Sequence, residues 1–252
     1  MRIRQRSKDI WYLEVPMKDR EQFQYIVEKF RQKTPRPPYG KWRRMTSEKL
    51  WENLVIQFCV FGGARPIANL IKDTERYNEF VEEISLDRLT GAQSARGRRQ
   101  DFIASHLKAF KATRFHNRAA RRINNCVENQ NIVKDGKVPL LDNLNDDITE
   151  EEMRNVLLER IPYFKMKSVS DFMIEIGAAK NLMAFDTRVV GLLNMQFGLN
   201  VCIYDIQSNM DLYKTLEKEL RKVCENLGIE LSYLDRILFQ HSDEIEELFV
   251  GA

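Results

Sequence analysis

Between residues 149 and 190 the sequence gathers side chains suited to chemistry: Lys165 and Lys167, then Asp186 and Arg188. A lysine attacks an electron-poor carbon only as the neutral amine, and its free pKa of about 10.4 keeps it charged unless its surroundings intervene. A carboxylate stabilises positive charge that develops on such a carbon. Asp186 stands immediately before Thr187-Arg188-Val189-Val190, where it can cap a helix and point into whatever cleft lies above that N-terminus. Other routes to catalysis lack their sequence marks. There is no Walker-type loop, GxGxxG, GxSxG or HExxH, and His116 has no acid near it in sequence to make it a base.

The elements that must position these groups are legible around them. Thr149 followed by Glu152 predicts a capping box, and Val156, Leu157 and Ile161 give the first helix an apolar face. Pro162 ends it. After a turn of Tyr163, Phe164, Lys165 and Met166, apolar residues return at helical spacing as Val169, Phe172, Met173 and Ile176, and Gly177 can stop the second helix.

The 252 residues are enough for one large or two small domains. No apolar run is long enough for a bilayer and the N-terminus lacks a secretory segment, so a soluble intracellular protein is expected. Cys59, Cys126, Cys202 and Cys224 are scattered, without metal-ligand spacing among themselves or with His106, His116 and His241. Reduced, mostly buried thiols and no zinc follow. The net charge of +3 is unevenly spread. Arg88 to Arg122 carries ten basic residues and one acid, Asp101; a second basic run covers Arg31 to Lys49, while acids collect at Asp142 to Glu152 and Asp243 to Glu247. Such a one-sided field suits a polyanion, although a solvated helix face gives the same pattern.

Along the rest of the chain a short strand-like patch, Ile10 to Val15, precedes a helix bearing Phe23, Ile26, Val27 and Phe30. The prolines at 35, 37 and 38 make a linker. Thr46 opens a core helix that breaks at Gly62-Gly63; two short helices follow, with a loop around Ala92 and Ser94. Helices are expected at 102–109 and 117–127, an extended run at 201–204, a long helix from Met210 to Gly228, and a last one opened by Ser232. Helical periodicity accounts for nearly all the apolar spacing, so the fold class is all-α. We expect two lobes: residues 46–180, and residues 181–252 with 1–45 packed against them, the active cleft lying between.

Ile161-Pro162, Lys167 five residues after the proline and Phe185-Asp186-Thr187-Arg188 together resemble the helix-hairpin-helix DNA glycosylases. That family's hairpin runs Leu-Pro-Gly-hydrophobic-Gly-x-Lys, followed by a Val-Asp-Thr/Arg loop. Arg114-Phe115-His116-Asn117 to Ile123 and the Ser232 to Phe239 ending also resemble family elements. Tyr163 and Lys165 replace the two hairpin glycines, which in the family let backbone N–H groups approach a DNA phosphate, often with a monovalent cation. Lys165 can supply that contact by charge. The four clustered cysteines of iron–sulfur relatives are absent, so no cofactor is expected.

The resemblance implies a base-excision glycosylase with AP-lyase activity on damaged double-stranded DNA. Lys167 would be the nucleophile and Asp186 would stabilise the oxocarbenium-like C1′ and help deprotonate the amine; Lys165 competes for the reacting position if the hairpin register shifts. The surroundings of Lys165 and Arg188 are expected to lower the lysine pKa. Tyr163, Phe164, Lys165 and Arg188 would contact DNA, Arg65 or Phe61 would fill the gap left by an extruded base, and Phe239 would stack on that base or serve as core. The 8-oxoguanine branch is favoured. An oxidised-pyrimidine glycosylase, a non-catalytic helix-hairpin-helix DNA-binding protein and a protein–protein module are the alternatives. A monomer without membrane association is expected, cytoplasmic and nucleoid-associated in a prokaryote.

Overall fold

The structure, a computed structural model, describes residues 1–7, 10–91, 96–142, 144 and 147–249. Ala92, Ser94 and Asp146, and the side chain of Arg96, named above in a loop and in charged runs, lie outside the described residues. The chain divides into two compact units, Met1–Trp42 with Lys165–Ala252, and Arg43–Phe164.

The first unit opens with β1 (Arg2–Ser7) and β2 (Ile10–Glu14), an antiparallel pair in which Arg2 faces Glu14 and Ser7 faces Ile10. The sequence predicts only the second strand, because β1 is too rich in arginine to read as half-buried. In α1 (Met17–Phe30) the expected face is buried, and Phe23 stacks on Phe197 at 4.0 Å. The proline linker is pinned by Tyr39 Oη on Ser232 Oγ at 3.0 Å and by the Gly40 N–H donating to Gly177 O at 2.8 Å.

The second unit begins with α2 (Ser47–Cys59), capped by Thr46, whose side chain accepts the Lys49 N–H. Leu50, Trp51, Leu54, Val55 and Phe58 are buried along it, and Trp51 Nε1 donates to Ile84 O at 2.8 Å. Then come α3 (Arg65–Lys72), α4 (Thr74–Glu83), α5 (Leu86–Thr90), α6 (Arg96–Ala109) and α7 (His116–Glu128). The last, α8 (Glu150–Arg160), starts at the reciprocal capping box of Thr149 and Glu152.

The chain then returns to the first unit through α9 (Met166–Glu175), α10 (Thr187–Phe197), α11 (Ile203–Ser208), α12 (Met210–Leu227), α13 (Leu231–Gln240) and α14 (Ser242–Phe249). Two expectations are corrected here. Asn194 holds Val201 extended by pairing with both its backbone groups, but Ile203 and Tyr204 already belong to a helix. A further helix, α14, follows the break at His241.

The predicted division after residue 180 also differs from the observed one at 164/165. The reason lies at the end of α9. Gly177, at φ +75, brings its Cα so close to Pro38 that a Cβ would lie 1.9 Å from the Pro38 carbonyl oxygen, and Lys180 O accepts the Ser232 N–H. Lys167 and Asp186 thus belong to one unit. No helix among the described residues is long and apolar enough to cross a membrane.

Candidate active site

Lys165 is extended at the N-cap of α9, its N–H donating to Ser168 Oγ at 2.9 Å. That cap sets the first turn, so Lys167 and Asp171 share one helix face, and Lys167 Nζ reaches Asp171 Oδ2 at 2.8 Å. Both side chains are mostly covered, at 26% and 19% exposure. Asp186 caps α10 as the sequence predicts: its Oδ1 accepts the N–H groups of Arg188 at 3.0 Å and Val189 at 2.9 Å.

The segment leading into Asp186 is fixed amide by amide. Met183 N–H donates to Glu217 Oε1 at 3.1 Å and Ala184 N–H to Asp235 Oδ1 at 2.8 Å, while Tyr213 Oη donates to Met183 O at 2.6 Å. Gln207 Nε2 holds Phe185 O at 2.9 Å. Helices α11, α12 and α13 therefore orient the carboxylate at the head of α10.

Lys167 feels Asp171, Asp186 and Asp235. Burial alone would lower its pKa, but the charge and hydrogen bond of Asp171, followed by the charges of Asp186 and Asp235, outweigh it and raise the value. This corrects the expectation of cations that lower it: Lys165 is exposed and the groups facing Nζ are carboxylates. Burial raises Asp186 above the ordinary carboxylate range, partly offset by the Val189 amide and by Lys167. Burial pushes Asp235 up to about 8, against the opposing charge of Arg236, so it keeps its proton at neutral pH and its charge acts on Lys167 only in the alkaline range where the lysine itself titrates. Arg236 is in turn paired with Glu175 at 2.6 Å.

Arg188 is exposed, its guanidinium 4.9 Å from the ring centroid of Phe239. Phe239 itself is half-buried beside the fully buried Ile237 and Leu238.

The hairpin turn, in the second unit, keeps the backbone of the glycine it lacks. Tyr163 sits at φ +73, a left-handed conformation that costs an L-residue about 1–2 kcal/mol. Its hydroxyl pairs with Asn125 Nδ2, and its ring faces the Arg122 guanidinium at 5.3 Å, on which Phe61 lies at 4.1 Å. Burial, then the charge of Arg118, draws the Arg122 pKa below its usual value. One sequence assignment changes here. Phe164 is buried against Phe58 at 5.5 Å rather than exposed to a DNA strand. Of the two wedge candidates, Phe61 is half-buried beside Arg122 and Arg65, first residue of α3, is exposed.

Sequence reasoning did not single out Asp171 and Asp235 beside Lys167 in the first unit, nor Arg122 beside Tyr163 in the second. Asp171 had a signal, an acid four residues after a lysine on a helix. Asp235 is a lone acid within the apolar run Tyr233 to Leu238, and nothing local ties it to Ala184, 51 residues away. Cys59, Cys126 and Cys224 are buried, their thiols pushed up to about 12, whereas Cys202 is exposed. Among the described residues no group of three or more His, Cys, Asp and Glu is arranged to hold a metal ion.

The sequence profile of one family, Ogg-HhH, described as 8-oxoguanine DNA glycosylase, matches residues 70–229. The fold is similar to that of the Methanocaldococcus jannaschii 8-oxoguanine glycosylase/lyase crystallised with a 15mer DNA containing 8-oxoguanine. The TM-score is 0.57 at 15% identity, covering 94% of this chain and 93% of that one. No match is found among curated protein sequences.

Proposed function

We propose, from the premise that this chain belongs to the 8-oxoguanine DNA glycosylase family, that it excises 8-oxoguanine from duplex DNA and then cuts the strand as an AP lyase. One observation carries the reading: an aspartate fixed at a helix N-terminus and a mostly covered lysine lie within each other's field in one unit. Loss of a base leaves C1′ electron-poor, and Asp186, tied through Oδ1 to two amides, is a carboxylate held in advance for that charge. Lys167, once neutral, attacks C1′. Opening of the sugar ring then gives a Schiff base, from which β-elimination cleaves the strand. Phe239 with Arg188 offers a face on which the extruded base stacks. Tyr163, Lys165 and Arg65, all exposed, contact the DNA, Arg65 as the wedge.

Borohydride trapping tests this on duplexes carrying 8-oxoguanine, thymine glycol, uracil or an abasic site. The expected result is an adduct with the 8-oxoguanine duplex that survives Lys165→Ala and is lost with Lys167→Ala, while Asp186→Asn slows base release. Phe239→Ala should weaken the reaction on 8-oxoguanine but leave abasic-site trapping unchanged. Salt-dependent DNA binding with no adduct on any lesion would return the protein to the non-catalytic reading.

A further inference from the structure

Lys167 is poised in the wrong protonation state, since the carboxylates around it favour the ammonium. Its proton needs an acceptor within hydrogen-bond reach. Asp186 is not hydrogen-bonded to Nζ, and both amides of its cap address its Oδ1. The group bonded to Nζ is Asp171, at 2.8 Å, on the same rigid helix.

We propose that Asp171 is a catalytic residue, the base that takes the proton of Lys167, and that Asp186 serves only to stabilise charge at the sugar. The inference rests on Lys167 being the nucleophile. Atoms and charge balance as follows. The ammonium gives one proton to the Asp171 carboxylate, and the nitrogen lone pair forms a bond to C1′ as the C1′–base bond breaks. The base leaves with that electron pair and takes the second proton from the new secondary ammonium. When the C1′–O4′ bond opens to the iminium, the proton on Asp171 goes to the ring oxygen and the carboxylate is restored.

The charged surroundings suit a proton that moves both ways. Facing the pair are Asp186 at the head of α10 and Asp235 and Arg236 on α13, with Glu175 of α9 paired to Arg236. Arg236 attracts the Asp171 carboxylate and Asp186 repels it.

Because the proton moves within the pair, Lys167 and Asp171 together neither gain nor lose a proton on the way to the reactive form, so the rate does not follow the titration of a free lysine. The test is single-turnover trapping with excess cyanoborohydride on an abasic-site duplex, over a pH series kept below the value of about 8 at which Asp235 titrates. Wild type should give a nearly flat profile. Asp171→Asn should rise about tenfold per pH unit, as a lysine losing its proton to solvent does. It should therefore be slowest, relative to wild type, at the acid end. Asp171→Glu should restore the flat profile. If Asp171 merely anchors the ammonium, Asp171→Asn is instead faster than wild type at neutral pH, and that result overturns the proposal. Asp171→Ser provides a second removal of the base should the amide variant unfold. A wild-type profile that itself rises tenfold per pH unit also overturns it, with no variant needed. An adduct that forms on Lys167→Ala would mean instead that the nucleophile is wrongly assigned.

Discussion

Lys167 and Arg122 are both largely desolvated cations, yet the two units treat them in opposite ways. Around Lys167 the chain sets carboxylates, and the lysine pKa rises. Around Arg122 it sets the rings of Phe61 and Tyr163 with Arg118 nearby, and the pKa falls. A carboxylate can accept a proton from its partner; an aromatic face cannot, and a guanidinium does not release one at any working pH. The first arrangement is built for a proton to move and the second for a shape to hold. The lesson is that a buried cation is read by what faces it, not by its burial.

The contrast is broken most severely by putting the second kind of cation in the first place. Lys167→Arg keeps a positive charge within reach of Asp171 but cannot supply a neutral amine. Trapping should fall on the order of 10³-fold or more while the melting temperature hardly changes. An arginine variant that still forms the adduct would mean that Lys167 is not the attacking group.

A smaller effect distinguishes the carboxylates from one another. Asp235 holds its proton in the folded protein to about pH 8, whereas in the unfolded chain it ionises at about 3.9. Between those values the folded state binds the extra proton, so this contribution to stability is complete below the lower value and is lost as pH rises toward the upper one. The slope is at most about 1.4 kcal/mol per pH unit. Asp235→Asn retains an acceptor for the Ala184 N–H and should flatten the dependence in urea unfolding across this range. An unchanged slope would mean that Asp235 is ionised in the folded state.

The same pair of regions shows what the sequence could say. Helix periodicity and caps located α8, α9 and α10, and the resemblance carried by Pro162, Lys167 and Asp186 pointed to the groups proposed to react. The electrostatics were not legible, because the carboxyl groups facing Lys167 come from residues as distant as Asp235, and the nearer cations Lys165 and Arg188 turn to solvent or to Phe239. At the hairpin, residue types misled. Tyr163 reads as the loss of a glycine, but its backbone adopts a left-handed φ that favours glycine. Phe164 reads as an exposed grip, but its partner Phe58 lies 106 positions earlier (164 − 58) and takes it into the core.

In the second unit the expected changes are structural. Arg122→Ala leaves Phe61 and Tyr163 without the plane between them and should cost about 2 kcal/mol in urea unfolding. Arg122→Lys keeps the charge but not the flat stacking surface, and should cost about half as much. A lysine variant as stable as wild type would reduce the stack to a matter of charge.

The smallest effect comes from Tyr163 itself, where two contributions of similar size oppose each other. The ring gives contact with Arg122 and a hydroxyl bond to Asn125, together about 1 kcal/mol. The φ of +73 costs a side-chain-bearing residue about the same amount. Tyr163→Ala loses the contacts and keeps the cost, so it should destabilise by about 1 kcal/mol. Tyr163→Gly loses the contacts and the cost together and should be close to neutral. The comparison therefore predicts a glycine variant more stable than the alanine variant, the reverse of the usual order within regular structure. Equal stability for the two would mean that the turn relaxes away from the left-handed backbone once the tyrosine ring is gone, and that the Arg122 stack is what holds it there.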